Sequence, residues 1–331
     1  MEQSIKRLNF IDIAKGIGII LVVLGHCLAY ECHNKLFMMI YSFHMPLFFF
    51  LSGFLFKSKD YAAYLSGKVK TLLFPMIFFQ ALNVISYGIL FILGLETFHD
   101  TIAFGGFWFL GTLLYVSCLY YMLSEKIFSN SKRRGIIILT NALIAMVFGL
   151  IYAKNVSDQP NQLIATSFVA FSFYALGHVC NTNQSLQNLA LRDSKLMRVF
   201  ATIGSIALFV LLAYLTSFTS RNVDMNTSRY GNSLFFILNA LVGISAAFLA
   251  SVAISKNRIL EFFGKNSLMI FLLHIPLWKT FDFIMKNHFS MLSVSCRIFC
   301  VFLTSITIST ILAIIINRHF TWLKGQINFN K

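Results

Sequence analysis

Residues 7–26 read RLNFIDIAKGIGIILVVLGH, an apolar segment that begins at Arg7 and contains three further ionisable residues, Asp12, Lys15 and His26. Its length matches the roughly 20 mainly apolar residues that a membrane-spanning helix needs. A charge at bilayer depth costs at least ~2.5–3.5 kcal/mol, so a helix that only had to cross the bilayer is not expected to keep such residues. At 100° per residue, one face of this helix carries Asp12, Lys15, Ile19, Val22 and His26. We predict that this polar face points inward and forms part of a functional site.

The composition indicates a membrane protein over the whole chain. Hydrophobic residues make up 57% of the 331 residues and charged residues 12%, and 37 residues are Phe. That is too little polar surface for a soluble globule of this size. We therefore expect a single all-α polytopic membrane domain over residues 1–331, with about ten transmembrane helices around an internal polar cavity. The predicted spans are 9–30, 36–56, 70–94, 103–123, 135–153, 162–180, 197–218, 232–254, 266–283 and 293–317.

The net charge of +15 does not indicate a nucleic-acid partner, because the basic residues follow the predicted topology. Most of the 27 Lys and Arg residues fall on alternate loops, together with the two termini. This is the bias of the positive-inside rule. It predicts a multi-pass protein of the cell (inner) membrane with both termini in the cytoplasm. The six cysteines are scattered without metal-like spacing, so no metal site is predicted.

The second predicted span contains YSFHMPLFFFLSGF, residues 41–54. Pro46 frees a backbone carbonyl inside the helix, which membrane proteins tolerate mainly where protein or a cavity covers the break. His44 lies beside this break. Because the loop before this span is short, the first two helices should be antiparallel neighbours, and His26 and His44 should share one cavity near the outer half of the bilayer.

Each of these residues also has a purely structural interpretation. Asp12 and Lys15 are spaced i, i+3 and can form an intrahelical ion pair. A histidine inside a membrane, His44 in particular, can serve only as an interhelical hydrogen-bonding group. The alignment of His26 with Asp12 and Lys15 on one face favours the functional interpretation for the first helix.

These motifs resemble the integral-membrane acyltransferase type 3 family, and its fucose 4-O-acetylase-like branch most closely. The resemblance covers roughly residues 5–320. It lies in the first helix, in the Phe43–Phe49 string with Ser52-Gly53, in the segment around Trp108, and in Gly264–His274. Many relatives have Arg where this chain has Lys15, which keeps the charge but loses the bidentate fork of a guanidinium.

The resemblance implies an O-acyltransferase that moves an acetyl (acyl) group from cytoplasmic acyl-CoA to a hydroxyl of a cell-envelope glycan or lipid-linked sugar. Acetyl-CoA is then a co-substrate, the lipid bilayer is a further partner, and a homo-oligomer is a possible assembly. The expected catalytic residues are His26, His44 and Asp12. The expected donor-binding residues are Arg7, Lys15, Lys68 and Lys70. The expected acceptor-cavity residues are Ser52, Trp108, Asn266 and His274.

Histidine can act near neutral pH as a general base or as a nucleophile, so direct transfer and an acyl-histidine intermediate both fit the sequence. An exporter of a polysaccharide or lipid-linked sugar is the alternative function, because transporters also have many spans, broken helices and buried charges. Against it, the sequence has no repeated pair of Gly/Pro-broken spans, and its polar groups cluster in the first two helices.

Overall fold

The computed structural model describes residues 9–29, 34–58, 60–92, 107–127, 133–156, 163–182, 194–219 and 223–324. These parts of the chain form helices and connecting turns, with a lone β-bridge between Asp224 and Arg229. The helices are α1 Asn9–Leu28, α2 Lys35–Phe54, α3 Tyr61–Lys68, α4 Phe74–Ile92, α5 Trp108–Tyr121, α6 Arg134–Val156, α7 Leu163–Thr182, α8 Lys195–Thr216, α9 Ser233–Ile254, α10 Arg258–Lys265, α11 Ser267–His288 and α12 Val294–His319. The all-α polytopic fold is confirmed.

Nine helices within the described ranges are long and apolar enough to cross a membrane. They correspond to nine of the ten predicted spans. The exception is the span predicted at 103–123. There the α-helix covers only Trp108–Tyr121 and continues as a π-helix over Met122–Ile127, and residues 103–106 lie outside the described ranges.

The third predicted span starts earlier than expected. The loop predicted before residue 70 is helical from Tyr61, and a π-helical turn over Val69–Leu73 joins α3 to α4 without a break. Lys68 therefore lies on a helix rather than in a loop. From Tyr61 to Ile92 this helix is about 48 Å long at 1.5 Å per residue, longer than the ~30 Å hydrocarbon layer. One or both of its ends must project beyond the apolar layer, or the helix must tilt.

Side-chain caps determine where several of the helices begin. In each case an Asn, Asp or Ser just before the helix accepts hydrogen bonds from backbone N–H groups of the first turn, which otherwise have no intrahelical acceptor. The capping residues are Asn34, Asp60, Ser194, Asn232, Asn257 and Ser293. The cap at Asn257 starts α10, a short helix that the span prediction did not include.

Helix α1 lies at the centre of the bundle and packs against α2, α9, α10, α11 and α12. This position explains why a helix with ionisable residues is tolerated, because its polar face meets protein rather than lipid. We call the end of the bundle at which α1 begins the basic end. The helix α3, the starts of α6 and α8, and the helix α10 lie at the same end. Their cationic residues are Lys68, Arg134, Lys195 and Arg258.

Glycines bring two pairs of helices into backbone contact. A Cβ atom added to Gly16 of α1 would overlap the carbonyl of Leu260 in α10, and one added to Gly264 of α10 would overlap the carbonyl of Asp12. Gly53 of α2 and Gly177 of α7 make the same kind of reciprocal contact, with the carbonyls of Tyr174 and Phe50. Small residues at helix interfaces allow this close approach in membranes.

An ion pair joins separate segments at the basic end. The carboxylate of Glu125 accepts a hydrogen bond from the hydroxyl of Ser58, at 2.6 Å, and forms a salt bridge with Arg134 at the start of α6. Burial raises the pKa of the Glu125 carboxyl, but the hydrogen bonds from Ser58 and Arg134 outweigh it and hold that pKa below its ordinary value.

Candidate active site

The polar face predicted for α1 points into the bundle. Asp12, Ile19 and Val22 are buried, and Lys15 and His26 are partly buried. Lys15 and His26 are eleven positions apart, which is about 16 Å of helical rise. The face therefore connects the basic end with the interior of the membrane domain, and the predicted inward orientation is confirmed.

His26 belongs to a cluster of rings drawn from three helices. Its imidazole lies 5.1 Å from that of His274 on α11, centroid to centroid. The indole of Trp278, one turn further along α11, stacks on His26 at 6.1 Å with an interplanar angle of 20°. Helix α11 packs against α1, so the two late residues reach the first helix across that interface.

Tyr41 on α2 lies between the histidines of the first two helices. Its hydroxyl oxygen is 3.4 Å from Nδ1 of His26, within hydrogen-bonding distance. Its ring centroid is 4.9 Å from that of His44. His26 and His44 therefore lie on either side of Tyr41, and a cavity shared by the two histidines stays a prediction. We call His26, Tyr41, His44, His274 and Trp278 the histidine cluster.

Two of the three imidazoles are held by the backbone of their own helices. Nδ1 of His44 is 2.8 Å from the carbonyl oxygen of Ile40, and Nδ1 of His274 is 2.7 Å from that of Phe271. A carbonyl only accepts, so each Nδ1 carries the hydrogen and donates it. In the neutral rings Nε2 is then left with a lone pair. Nε2 of His274 is buried without a hydrogen-bond partner in the described structure.

The basic end contains two further predicted site residues, Lys15 and Lys68. Lys15 and Lys68 are close enough to interact electrostatically, although they come from α1 and α3. The ammonium group of Lys68 also lies 5.3 Å from the ring centroid of Tyr64. Two ammonium groups that repel each other form a favourable place for an anion.

The remaining predicted site residues are more dispersed. Lys70 is partly buried on the π-helical turn, and Ser52 is partly buried on α2. Trp108 packs beside Phe49, with ring centroids 6.5 Å apart. Arg7 lies outside the described residues. Of the described residues, Lys70, Ser52 and Trp108 are not members of the histidine cluster, and the predicted roles of all four residues stay predictions.

Asn266 has a structural environment at the junction of α10 and α11. Its amide donates to the carbonyl of Phe262 at 2.8 Å, and its Oδ1 accepts a hydrogen bond from Asn317 near the end of α12. Along α11 it lies about 12 Å of helical rise from His274. These hydrogen bonds connect helix ends at the basic end, some distance from the histidine cluster.

Sequence reasoning missed Tyr41 and Trp278 as members of the cluster. Tyr41 precedes His44 by three residues and Trp278 follows His274 by four, so each pair shares a helix face. That spacing is the signal that could have identified them. Within the described ranges, no group of three or more His, Cys, Asp and Glu residues is placed to hold a metal ion.

Comparison with known proteins gives a family match over most of the chain. A family model described as "Acyltransferase domain" matches residues 8–314. The chain is 24% identical over 306 residues to nodulation protein NolL of Mesorhizobium japonicum, covering 82% of this chain and 77% of that protein. It is 27% identical over 208 residues to nodulation protein NolL of Sinorhizobium fredii, covering 51% and 55%. No solved structure matches the chain.

Proposed function

We propose that this chain, which belongs to the acyltransferase domain family, transfers an acetyl (acyl) group from cytoplasmic acyl-CoA to a hydroxyl of a cell-envelope glycan or lipid-linked sugar. The chain is a multi-pass membrane acyltransferase; the donor, the acceptor and the residue roles are our proposal. The observation that carries it is the pairing of two sites along α1. Lys15 and Lys68 lie near one end of its polar face, and the histidine cluster lies about 16 Å further along.

The orientation follows from the distribution of charge. We place the basic end and both chain termini on the cytoplasmic side of a bacterial-type inner membrane, in agreement with the positive-inside bias of the loops. Acyl-CoA is a polyanionic nucleotide joined to a thioester by a long arm. Lys15 and Lys68, with Lys70 and Arg7, would attract its phosphates, and the arm would extend along α1 toward His26.

The transfer itself needs a base for the acceptor hydroxyl. With the hydrogen of His26 on Nδ1 and donated to the hydroxyl oxygen of Tyr41, Nε2 is free to take the proton of the sugar hydroxyl. The sugar oxygen then attacks the thioester carbonyl, the carbon–sulfur bond breaks, and the leaving thiolate takes the proton back from His26. The products are an acyl ester of the sugar and free CoA. Asp12 would act where this path begins, by adding a negative charge beside the cationic residues there.

The rings around His26 are suited to support this step. His44 and His274 are fixed by backbone hydrogen bonds and present Nε2 atoms as acceptors. Trp278 covers one face of His26 and restricts its orientation. Positioning of a base by packed neighbours lowers the entropic cost of reaching the reactive geometry.

The test uses purified protein in lipid nanodiscs with acetyl-CoA labelled in the acetyl group. An acyltransferase should release CoA slowly by hydrolysis or exchange, whereas an exporter without acyl-transfer chemistry should release none. Mass spectrometry of envelope glycans from cells with and without the gene should reveal a difference of one acyl group. Unchanged glycans together with intact acetyl-CoA would overturn the proposal. A mass increase of one acyl group on a His26 peptide, found after rapid quenching without acid because acyl-imidazoles hydrolyse readily, would instead indicate an acyl-histidine intermediate.

A further inference from the structure

Three tyrosines and two lysines meet at the basic end, away from the histidine cluster. Tyr61 and Tyr64 lie on α3 and Tyr121 ends α5, and the lysines are Lys68 and Lys15. We call this group the tyrosine recess. Its members come from three helices, so the arrangement is a product of the tertiary structure and not of one local motif.

The tyrosine rings form a short stack that ends at an exposed ring. Tyr64 and Tyr121 are stacked with centroids 4.7 Å apart, and Tyr61 lies 5.5 Å from Tyr121. Tyr64 and Tyr121 are 7% and 3% exposed, whereas Tyr61 is 38% exposed. The inner two rings are thus fully packed, and the outer ring keeps a surface on which a planar ligand can stack.

The recess begins at the exposed start of a long helix, where Ser58, Asp60 and Tyr61 are all exposed. Tyr61 begins a helix that is about 48 Å long and exceeds the ~30 Å apolar layer. Tyr61, Tyr64 and Lys68 follow an i, i+3, i+7 pattern, so they lie on one face of α3. Lys68 is about 10 Å of helical rise beyond Tyr61, within electrostatic range of Lys15 on the polar face of α1 that leads toward His26.

The charges of the recess favour an anion next to the aromatic surface. Lys68 and Lys15 supply positive charge from two helices. Asp60 and Glu125 also interact electrostatically with Tyr121, but both carboxylates are engaged elsewhere. Asp60 caps α3 through the N–H groups of Ala62 and Ala63, and Glu125 pairs with Arg134.

We propose that the tyrosine recess binds the adenine-nucleotide end of the acyl donor, with the purine stacked on Tyr61 and the phosphates at Lys68 and Lys15. The inference rests on the proposed use of acyl-CoA and adds the subsite that recognises its nucleotide. A base stacks on an aromatic side chain through its π-face, and cationic groups beside it bind the phosphates. Along the recess, Tyr61 is followed by Lys68 and Lys15. This matches the order of the base and the phosphates along the nucleotide.

The test compares two donors in the Tyr61→Ala variant. With acetyl-CoA, the KM should rise roughly 5- to 150-fold, the range that corresponds to ~1–3 kcal/mol of base stacking. With S-acetyl-N-acetylcysteamine, a thioester that has the end of the pantetheine arm and no nucleotide, the KM should not change. Tyr61→Phe retains the ring and should behave as the wild type. The nucleotide 3′,5′-ADP should inhibit the wild type competitively and inhibit Tyr61→Ala less.

A matched control is Tyr115→Ala, which removes a tyrosine of α5 that is 59% exposed and outside the recess. This variant should leave both donors unaffected. An unchanged KM for acetyl-CoA in Tyr61→Ala would overturn the inference. An equal rise of KM with both donors would also overturn it, because that result is expected of a tyrosine that only anchors the helix at the membrane surface. If the wild type turns over neither donor, the proposed function fails, and the inference fails with it.

Discussion

The histidine cluster and the basic end differ in what holds them together. The cluster consists of rings whose hydrogen-bonding groups are directed by the backbone and by Tyr41, and it lies within the packed interior. The basic end contains ammonium groups from separate helices that repel each other, beside helices joined by backbone contact. In the function proposed above, the first region transfers a proton and the second binds an anionic ligand. Because α1 separates them by about 16 Å, mutations should affect chemistry and donor binding independently.

The largest effect is expected from His26→Ala. A general base contributes ~10²–10⁴-fold, so kcat should fall by that range while the KM for acetyl-CoA changes little. Acyl transfer in nanodiscs measures both constants, and size-exclusion profiles check the fold. His319→Ala, an exposed histidine at the end of α12, is the control and should keep full activity. Near-normal kcat in a well-folded His26→Ala protein would move the base to His44 or His274.

The opposite pattern is expected for Lys15→Met. A charge-assisted hydrogen bond is worth ~1.5–3 kcal/mol, so loss of the ammonium group should raise the KM for acetyl-CoA about tenfold or more. The value of kcat at saturation should fall less, provided that chemistry is slower than donor release. Lys15→Arg keeps the charge and should be tolerated. A loss confined to kcat would place Lys15 with the chemistry and would break the division between the two regions.

A smaller effect is expected from Tyr41→Phe. The variant keeps the ring that packs against Gly25 and His44 and removes the hydroxyl near Nδ1 of His26. A neutral hydrogen bond is worth ~0.5–1.5 kcal/mol, which corresponds to a roughly two- to twelvefold loss of kcat. Nitrogen-15 chemical shifts of labelled histidine should show a changed tautomer ratio at His26. Tyr214→Phe, at an exposed position on α8, is the control.

The smallest effect is expected at Glu125, which affects stability and not the reaction. Because its pKa is held below the ordinary value in the folded protein, the stabilisation is present above the unfolded-state pKa. It is lost as the pH falls through the lowered pKa of the folded state. Glu125→Gln should lose about as much stability at neutral pH as the removal of a surface ion pair costs. The resulting difference in unfolding temperature from the wild type should therefore be small at neutral pH and should vanish in acid. A difference that grows in acid would contradict the shift.

The sequence was sufficient for those parts of the fold that depend on periodicity. The inward face of α1 follows from a 100° repeat, and nine predicted spans follow from apolar length. Contacts such as Tyr41 with His26 depend on the register between neighbouring helices, which hydropathy does not encode. Helix α10 was missed because eight residues between two spans give no hydrophobic run. Lys68 was assigned to a loop because charged residues lower the hydropathy of a window even when the backbone stays helical.

The reciprocal glycines affect how tolerance to substitution in this chain should be interpreted. At Gly16, Gly53, Gly177 and Gly264 any side chain meets a neighbouring carbonyl, so no residue type can be accommodated by a change of rotamer. A saturation-mutagenesis map would therefore contain intolerant positions of two kinds. At the histidines, inactive protein should still accumulate in the membrane, whereas at these glycines protein abundance itself should fall. Gly16 lies next to Lys15, so an activity screen without an abundance measurement would not distinguish a packing position from a position that we propose binds the donor.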